Sequence, residues 1–109
     1  MANRELAVLA WSNALDRVGG DHEYLTEMVG CLLVDLEGHL RDLREAAEKG
    51  EHEMLEAAAK TIEDKAAAIC AEALAEAARS AAKTPGLSFA REVEMQALRL
   101  QSWARSAHN

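Results

Sequence analysis

The spacing of apolar residues between Asp21 and Gly50 constrains the fold more than any other feature of this sequence. Apolar side chains recur there in the i, i+3, i+4, i+7 pattern of an amphipathic helix of about 27 residues. They are Leu25, Met28, Val29, Leu32, Leu33, Leu36, Leu40, Leu43 and Ala47. Alanine, the best helix former, supplies 23 of the 109 residues, and proline, the worst, occurs once. The chain is therefore expected to be all-α.

Glycine, proline and capping residues mark where the helices should begin and end. The Gly-Gly pair at 19–20 suits the left-handed conformation that ends a helix, and Asp21 is a suitable N-cap for the next helix. Gly50 marks a second break. The third, at 84–86 (TPG), is the clearest, and Ser88 after it is the expected N-cap of the last helix.

The segments after Gly50 also carry apolar stripes, and a turn or kink is expected near Cys70. The expected buried stripe of the segment before Cys70 is Met54, Leu55, Ala58, Ile62 and Ile69. The last helix offers Phe89, Val93, Met95, Ala97, Leu98, Leu100 and Trp103 for packing. Because short connections favour antiparallel neighbours, we predict an antiparallel up-and-down four-helix bundle. A short N-terminal helical segment completes it, and residues 1–109 form one domain.

The charge of the chain argues against two classes of partner. The formal net charge is −7, which disfavours nucleic acid and anionic membranes because both are bound through Lys and Arg. No apolar run approaches the roughly 20 residues of a membrane span. The N-terminus has charges on both sides of the short apolar run at 6–10, unlike a signal peptide. We expect a cytoplasmic monomer.

Residues that could support catalysis do not form a recognisable set. None of His22, His39, His52 and His108 has a glutamate three residues before it, as a di-metal bundle site requires. Cys31 and Cys70 fall among apolar neighbours, so both are expected to be buried free thiols. We therefore expect no enzymatic activity, no metal and no cofactor.

Three segments carry a resemblance to a known family. They are 14–21 (ALDRVGGD), the turn at 49–51 (KGE) and 58–65 (AAKTIEDK). With the step at 69–71 (ICA), they resemble the histidine-phosphotransfer (HPt) domains of two-component phosphorelays. The resemblance covers roughly residues 11–106. In that family the third segment is typically Ala-His-x-Leu-Lys-Gly-Ser/Ala, and its histidine carries the phosphoryl group.

The reactive motif departs from the family at several positions. The phosphoaccepting His is matched by Lys60, the Lys three residues later by Glu63, and the small Gly one turn beyond the His by Asp64. Cys70 stands in place of the Gly at the helix break, whereas Thr61 fits the pattern. An ammonium is protonated at neutral pH and has no lone pair with which to accept a phosphoryl group.

The resemblance thus implies a degenerate HPt-like domain that binds a response-regulator receiver domain or a histidine kinase. The expected partner-binding residues are Glu56, Lys60, Thr61, Glu63, Asp64 and Lys65. In this interpretation Lys60, expected to lie between Glu56 and Asp64, inserts into the acidic phosphorylation pocket of a receiver. Two alternatives stay open: an interaction bundle that uses another face, and an active phosphocarrier with a displaced histidine, His39 or His52.

Overall fold

Five α-helices make up most of the part of the chain described by the computed structural model, residues 7–84 and 86–107. They are α1 (Trp11–Arg17), α2 (His22–Lys49), α3 (His52–Ala68), α4 (Glu72–Lys83) and α5 (Leu87–Ala107). The all-α prediction is confirmed, and α1 is the short N-terminal helical segment that was expected. None of the helices in these ranges is long and apolar enough to cross a bilayer.

The four longer helices pack against one another in a closed ring. Helix α3 contacts both α2 and α4, and α5 contacts both α4 and α2, while α1 packs against α2. The contact between α3 and α4 is the most extensive. Each of the four longer helices therefore has two helical neighbours, and its apolar stripe faces the space between them.

Leucine and alanine form most of the core inside this ring. The largest fully buried side chains are Leu25, Leu36, Leu43, Leu55, Ile62, Leu74, Val93 and Leu100. Twelve of the 25 buried apolar residues are alanines, which permit close approach between helices. No polar or charged side chain is buried in the described ranges, so apolar packing alone fills this core.

Several packing expectations are wrong. Met54 is exposed, because its neighbour Leu55 takes the inward position on α3. Met95 and Leu98 are exposed because Val93, Ala97 and the residues in phase with them form the inner face of α5. Phe89 is also exposed, in the first turn of that helix.

The predicted helix boundaries are mostly confirmed. The Tyr24 backbone N–H donates a hydrogen bond of 3.1 Å to the Asp21 carboxylate, which is the expected N-cap. Gly19 and Gly50 have positive φ angles of 68° and 70°. Ser88 lies inside α5 rather than at its N-cap, since the helix already begins at Leu87. Pro85, part of the predicted break, lies outside the described residues.

The turn between α3 and α4 uses a cysteine where glycine is favoured. Cys70 has a φ of 57° and is the only non-glycine residue of the described ranges with a positive φ. The Ala71 N–H donates to the Ala66 carbonyl at 2.9 Å, and the Cys70 N–H donates to the Ala67 carbonyl at 3.1 Å. These two bonds form a Schellman motif, which normally places glycine at this position. The turn expected near Cys70 is therefore confirmed.

The segment before α1 is hydrogen-bonded to this same turn. The Ala10 N–H donates to the Cys70 carbonyl, and the Ala73 N–H donates to the Ala7 carbonyl, both at 2.9 Å. Arg17 of α1 donates through Nη1 to the Ala67 carbonyl at 2.8 Å, near the C-terminal end of α3. The N-terminal segment therefore holds the corner between α3 and α4 from outside the ring.

The conformation of Cys70 yields a prediction about stability. The free energy of unfolding of Cys70→Gly should be about 1 kcal/mol higher than that of Cys70→Ala, because glycine adopts the left-handed region without strain and alanine does not. Both variants remove the same thiol, so urea denaturation of the two isolates the backbone effect.

Gly38 provides the control for the Cys70 prediction. It lies inside α2, and a Cβ added there would meet no atom within 4 Å. Gly38→Ala should therefore raise stability by about 0.5–1 kcal/mol, the usual order for a helix interior. If Cys70→Ala is as stable as Cys70→Gly, or more stable, the backbone of Cys70 is not strained.

Candidate functional site

Lys60 lies at the middle of α3 and is exposed to solvent. Its side chain is 65% exposed, while Ala59 and Ile62 on the opposite side of the helix are fully buried. The buried stripe of α3 thus fixes the direction of Lys60, because residues on one side of a helix recur every three or four positions. We call the six predicted residues Glu56, Lys60, Thr61, Glu63, Asp64 and Lys65 the Lys60 face.

The ammonium of Lys60 is paired within its own helix. Lys60 Nζ lies 3.7 Å from Glu63 Oε1 and 3.9 Å from Asp64 Oδ1. The expectation that Glu56 and Asp64 flank it is therefore correct for Asp64 but wrong for Glu56. Glu63 takes that place because its carboxylate is held nearby by a residue of α4.

That residue is Arg79, which sequence reasoning did not single out. Arg79 Nε donates to Glu63 Oε2 at 2.9 Å, and Arg79 Nη1 donates to Glu76 Oε2 at 2.6 Å. The hydrogen bond that Arg79 donates to Glu63, followed by the negative charge of Glu76, raises the pKa of Arg79 above its usual value. We call Lys60, Glu63, Asp64, Glu76 and Arg79 the Lys60 cluster.

Two other members of the Lys60 face, Thr61 and Lys65, are engaged elsewhere. Thr61 Oγ1 donates to the Ala57 carbonyl at 3.0 Å, so this hydroxyl is bonded to its own helix. Lys65 Nζ lies 3.8 Å from Asp35 Oδ2 on α2. Glu56 is exposed one turn before Lys60. The fold therefore brings Lys60, Glu63 and Asp64 together, while Lys65 is directed toward α2.

The histidines lie at separate places. His52 is exposed at the start of α3, and His39 is partly buried on α2. The imidazole of His22 lies 6.1 Å from the indole of Trp11, between their ring centroids. This contact is at the end of the helix bundle where α1 packs against α2. His108 lies outside the described residues. No group of three potential metal ligands occurs among the described side chains.

Two open grooves border α3. The larger, about 580 Å³, lies between α1, the end of α3 and α4. It is lined by Asn13, Asp16, Arg17, Ala67, Cys70, Glu72, Ala75, Glu76 and Arg79. The smaller, about 300 Å³, lies between α2 and α3. It is lined by Tyr24, Glu27, Met28, Cys31, Leu32, Asp35, Lys65, Ala68 and Ile69.

The two cysteines differ in exposure. Cys70 is buried as expected, but Cys31 is exposed, and the expectation that it is buried is wrong. Its neighbour Leu32 occupies the inward position on α2 and is only 6% exposed. Apolar neighbours in the sequence therefore did not determine on which side of the helix the thiol lies.

Comparison with known proteins gives no match: no protein-family model, curated protein or solved structure is similar to this chain.

The exposed pairing of Lys60 yields a prediction about stability. Lys60→Ala should change the free energy of unfolding by less than about 0.5 kcal/mol, because exposed ion pairs are weak and alanine is a better helix former. Urea denaturation at neutral pH measures this difference. A loss above about 1 kcal/mol would show that the Lys60 cluster supports the fold and is not simply a surface feature.

Proposed function

We propose that this chain is an HPt-like signalling domain that carries no phosphoryl group and acts by binding a receiver domain or a histidine kinase. The observation that carries the proposal is the backbone of Cys70. The resemblance aligns this residue with a family glycine, and its φ of 57° lies in the region that favours glycine. This agreement supports the register of the alignment, and the same register places Lys60 at the position of the phosphoaccepting histidine.

The helix contacts support the finer architecture that we propose, an antiparallel up-and-down four-helix bundle. Consecutive helices pack against each other from α2 to α5, and α5 returns to α2. The connections at 50–51 and 69–71 are only two and three residues long, and such short loops join antiparallel neighbours. We further propose that residues 1–109 form one domain, which acts as a cytoplasmic monomer.

Lys60 then acts through its positive charge and does not accept a phosphoryl group. Its ammonium has no lone pair with which to accept phosphate, but it is exposed and is attracted to the carboxylates of a receiver phosphorylation pocket. Its contacts with Glu63 and Asp64, at 3.7 and 3.9 Å, are long and Lys60 itself is solvent-exposed, so these contacts are weak enough to be exchanged for receiver carboxylates. Occupation of the pocket would block phosphotransfer to or from that receiver. The proposed protein is a non-enzymatic binding domain without metal or cofactor.

An exposed apolar patch favours a second candidate, an interaction bundle that uses α5. Met95 and Leu98 are 55% and 63% exposed, and their spacing of three residues makes them neighbours on one side of that helix. This patch lies on a different helix from the Lys60 face. The affinity for a partner bound at this patch would not change when Lys60 is substituted.

The first functional prediction concerns phosphate. Incubated with a phosphorylated receiver domain, the protein should gain no acid-labile label, because Lys60 stands where the family has histidine. Denaturing gels of radiolabelled mixtures measure the transfer. Label that disappears in His39→Ala or His52→Ala would instead identify a displaced phosphoacceptor and contradict the proposal.

The second functional prediction concerns binding. Lys60→Ala should weaken receiver binding by more than about tenfold. Removing one partner of a desolvated ion pair reduces the favourable binding free energy far more than removing an exposed pair does. Affinity should fall as salt rises. Asp64→Gly should strengthen binding, because it removes both bulk and like charge from the docking face.

Arg44 provides the control for the binding prediction. It is an exposed cation whose side chain pairs with Glu94 of α5, so Arg44→Ala removes the same charge on a side of the bundle that does not face α3 and should leave affinity unchanged. Titration calorimetry of the three variants against one receiver domain compares them. Unchanged affinity in both Lys60→Ala and Asp64→Gly would favour the α5 patch over the Lys60 face.

A further inference from the structure

The two carboxylate oxygens of Glu63 have different cationic partners. Oε2 accepts a hydrogen bond of 2.9 Å from Arg79 Nε, whereas Oε1 lies 3.7 Å from Lys60 Nζ. The Glu63 side chain is only 14% exposed, much less than those of Lys60 (65%) and Asp64 (68%). Glu63 is therefore fixed in place between two cations that come from different helices.

The shorter contact determines which cation neutralises Glu63. A charge-assisted hydrogen bond at 2.9 Å is stronger than a charge contact at 3.7 Å. Arg79 is thus the main partner that neutralises Glu63. Its hydrogen bond to Glu63 is the largest cause of the raised pKa of Arg79. Lys60 is left with weaker pairing and can attract an anion from outside.

The charge balance of the Lys60 cluster shows what the loss of Arg79 would do. The cluster contains two cations, Lys60 and Arg79, and three carboxylates, those of Glu63, Asp64 and Glu76. Without Arg79 a single cation would face all three carboxylates. Glu63 would then be free to pair with Lys60 alone, and the surface around the ammonium would repel an approaching anion.

We infer that Arg79 is the specificity-determining residue for anion recognition at Lys60, because its closer contact with Glu63 neutralises that carboxylate beside the ammonium. The ligand class is a carboxylate or phosphoryl anion. The electrostatic part of this inference concerns this chain alone, and its use in binding a receiver rests on the function proposed above.

Arg44 offers a matched control for Arg79. Arg44 Nε donates to Glu94 at 2.9 Å and joins α2 to α5, as Arg79 joins α4 to α3. The two arginine side chains are similarly exposed, at 55% and 47%. Removing either charge changes the net charge of the protein by the same amount, but only Arg79 belongs to the Lys60 cluster.

The test measures the electrostatic environment of Lys60 without any partner protein. Lys60 is acetylated at low ionic strength by a sulfonated, anionic succinimidyl ester and by its uncharged analogue, and peptide mass spectrometry gives the two rates. The ratio of the rates cancels the intrinsic reactivity of the amine and reports the local potential. Arg79→Gln should lower this ratio about twofold, the effect of one unit charge about 8 Å away in water.

The remaining variants separate the inference from its rivals. Arg44→Gln should leave the ratio unchanged, the double variant Glu63→Gln with Arg79→Gln should restore it, and Arg79→Lys should retain it. An unchanged ratio in Arg79→Gln would overturn the inference. Equal falls in both arginine variants, or a double variant that stays low, would also overturn it, since these results indicate bulk charge or altered structure.

Receiver titration then distinguishes this inference from the proposed function. If Lys60→Ala weakens binding while Arg79→Gln leaves it unchanged, the proposed function stands and Arg79 has no role in recognition. If Lys60→Ala leaves binding unchanged, both the proposed function and the role of Arg79 in it are wrong. Weakening in both variants, with rescue by Glu63→Gln in the Arg79→Gln background, is the result expected.

Discussion

The contact between α3 and α4 is the interaction on which the rest of this structure depends. It is the most extensive helix contact in the described part of the chain, and buried alanines on both helices, among them Ala59, Ala66 and Ala78, allow the backbones to approach closely. The close approach of α3 and α4 brings Arg79 within hydrogen-bond distance of Glu63. It also requires a tight turn, which the chain makes with Cys70 in a left-handed conformation. The N-terminal segment and Arg17 hold the outside of that turn.

The electrostatics of the Lys60 face follow from this packing. In a chain with a net charge of −7, a lysine with carboxylates three and four residues beyond it would be expected to present no positive potential. In the inference drawn above, Arg79 changes that expectation, because it comes from the adjacent helix and its hydrogen bond neutralises Glu63, the carboxylate nearest to Lys60. A side chain that cannot accept phosphate can still present a positive charge to a partner.

The sequence allowed the helices and most of their ends to be predicted because those features are local. Asp21 caps α2 through its own side chain, and Gly50 ends the helix by its backbone conformation. The orientation of individual side chains was harder to predict. Cys31 and Met54 each lie beside a leucine, and which of two adjacent apolar residues faces inward depends on the neighbouring helices.

The candidate site was predictable only in part, for the same reason. The exposure of Lys60 and its pairing with Asp64 follow from spacing along one helix. The bond between Glu63 and Arg79 joins residues 16 positions apart across the turn at Cys70. It could have been inferred only by assuming that α3 and α4 form a hairpin with its turn at that residue.

The central claim is that a receiver domain docks on α3 around Lys60. Amide chemical shifts of the isotopically labelled protein, recorded as an unlabelled receiver domain is added, map the contact surface directly. The account predicts shift changes centred on Lys60 and Asp64 and extending to the adjoining side of α2 near Asp35. Changes confined to α5 around Met95 and Leu98, with the amides of α3 unaffected, would contradict it.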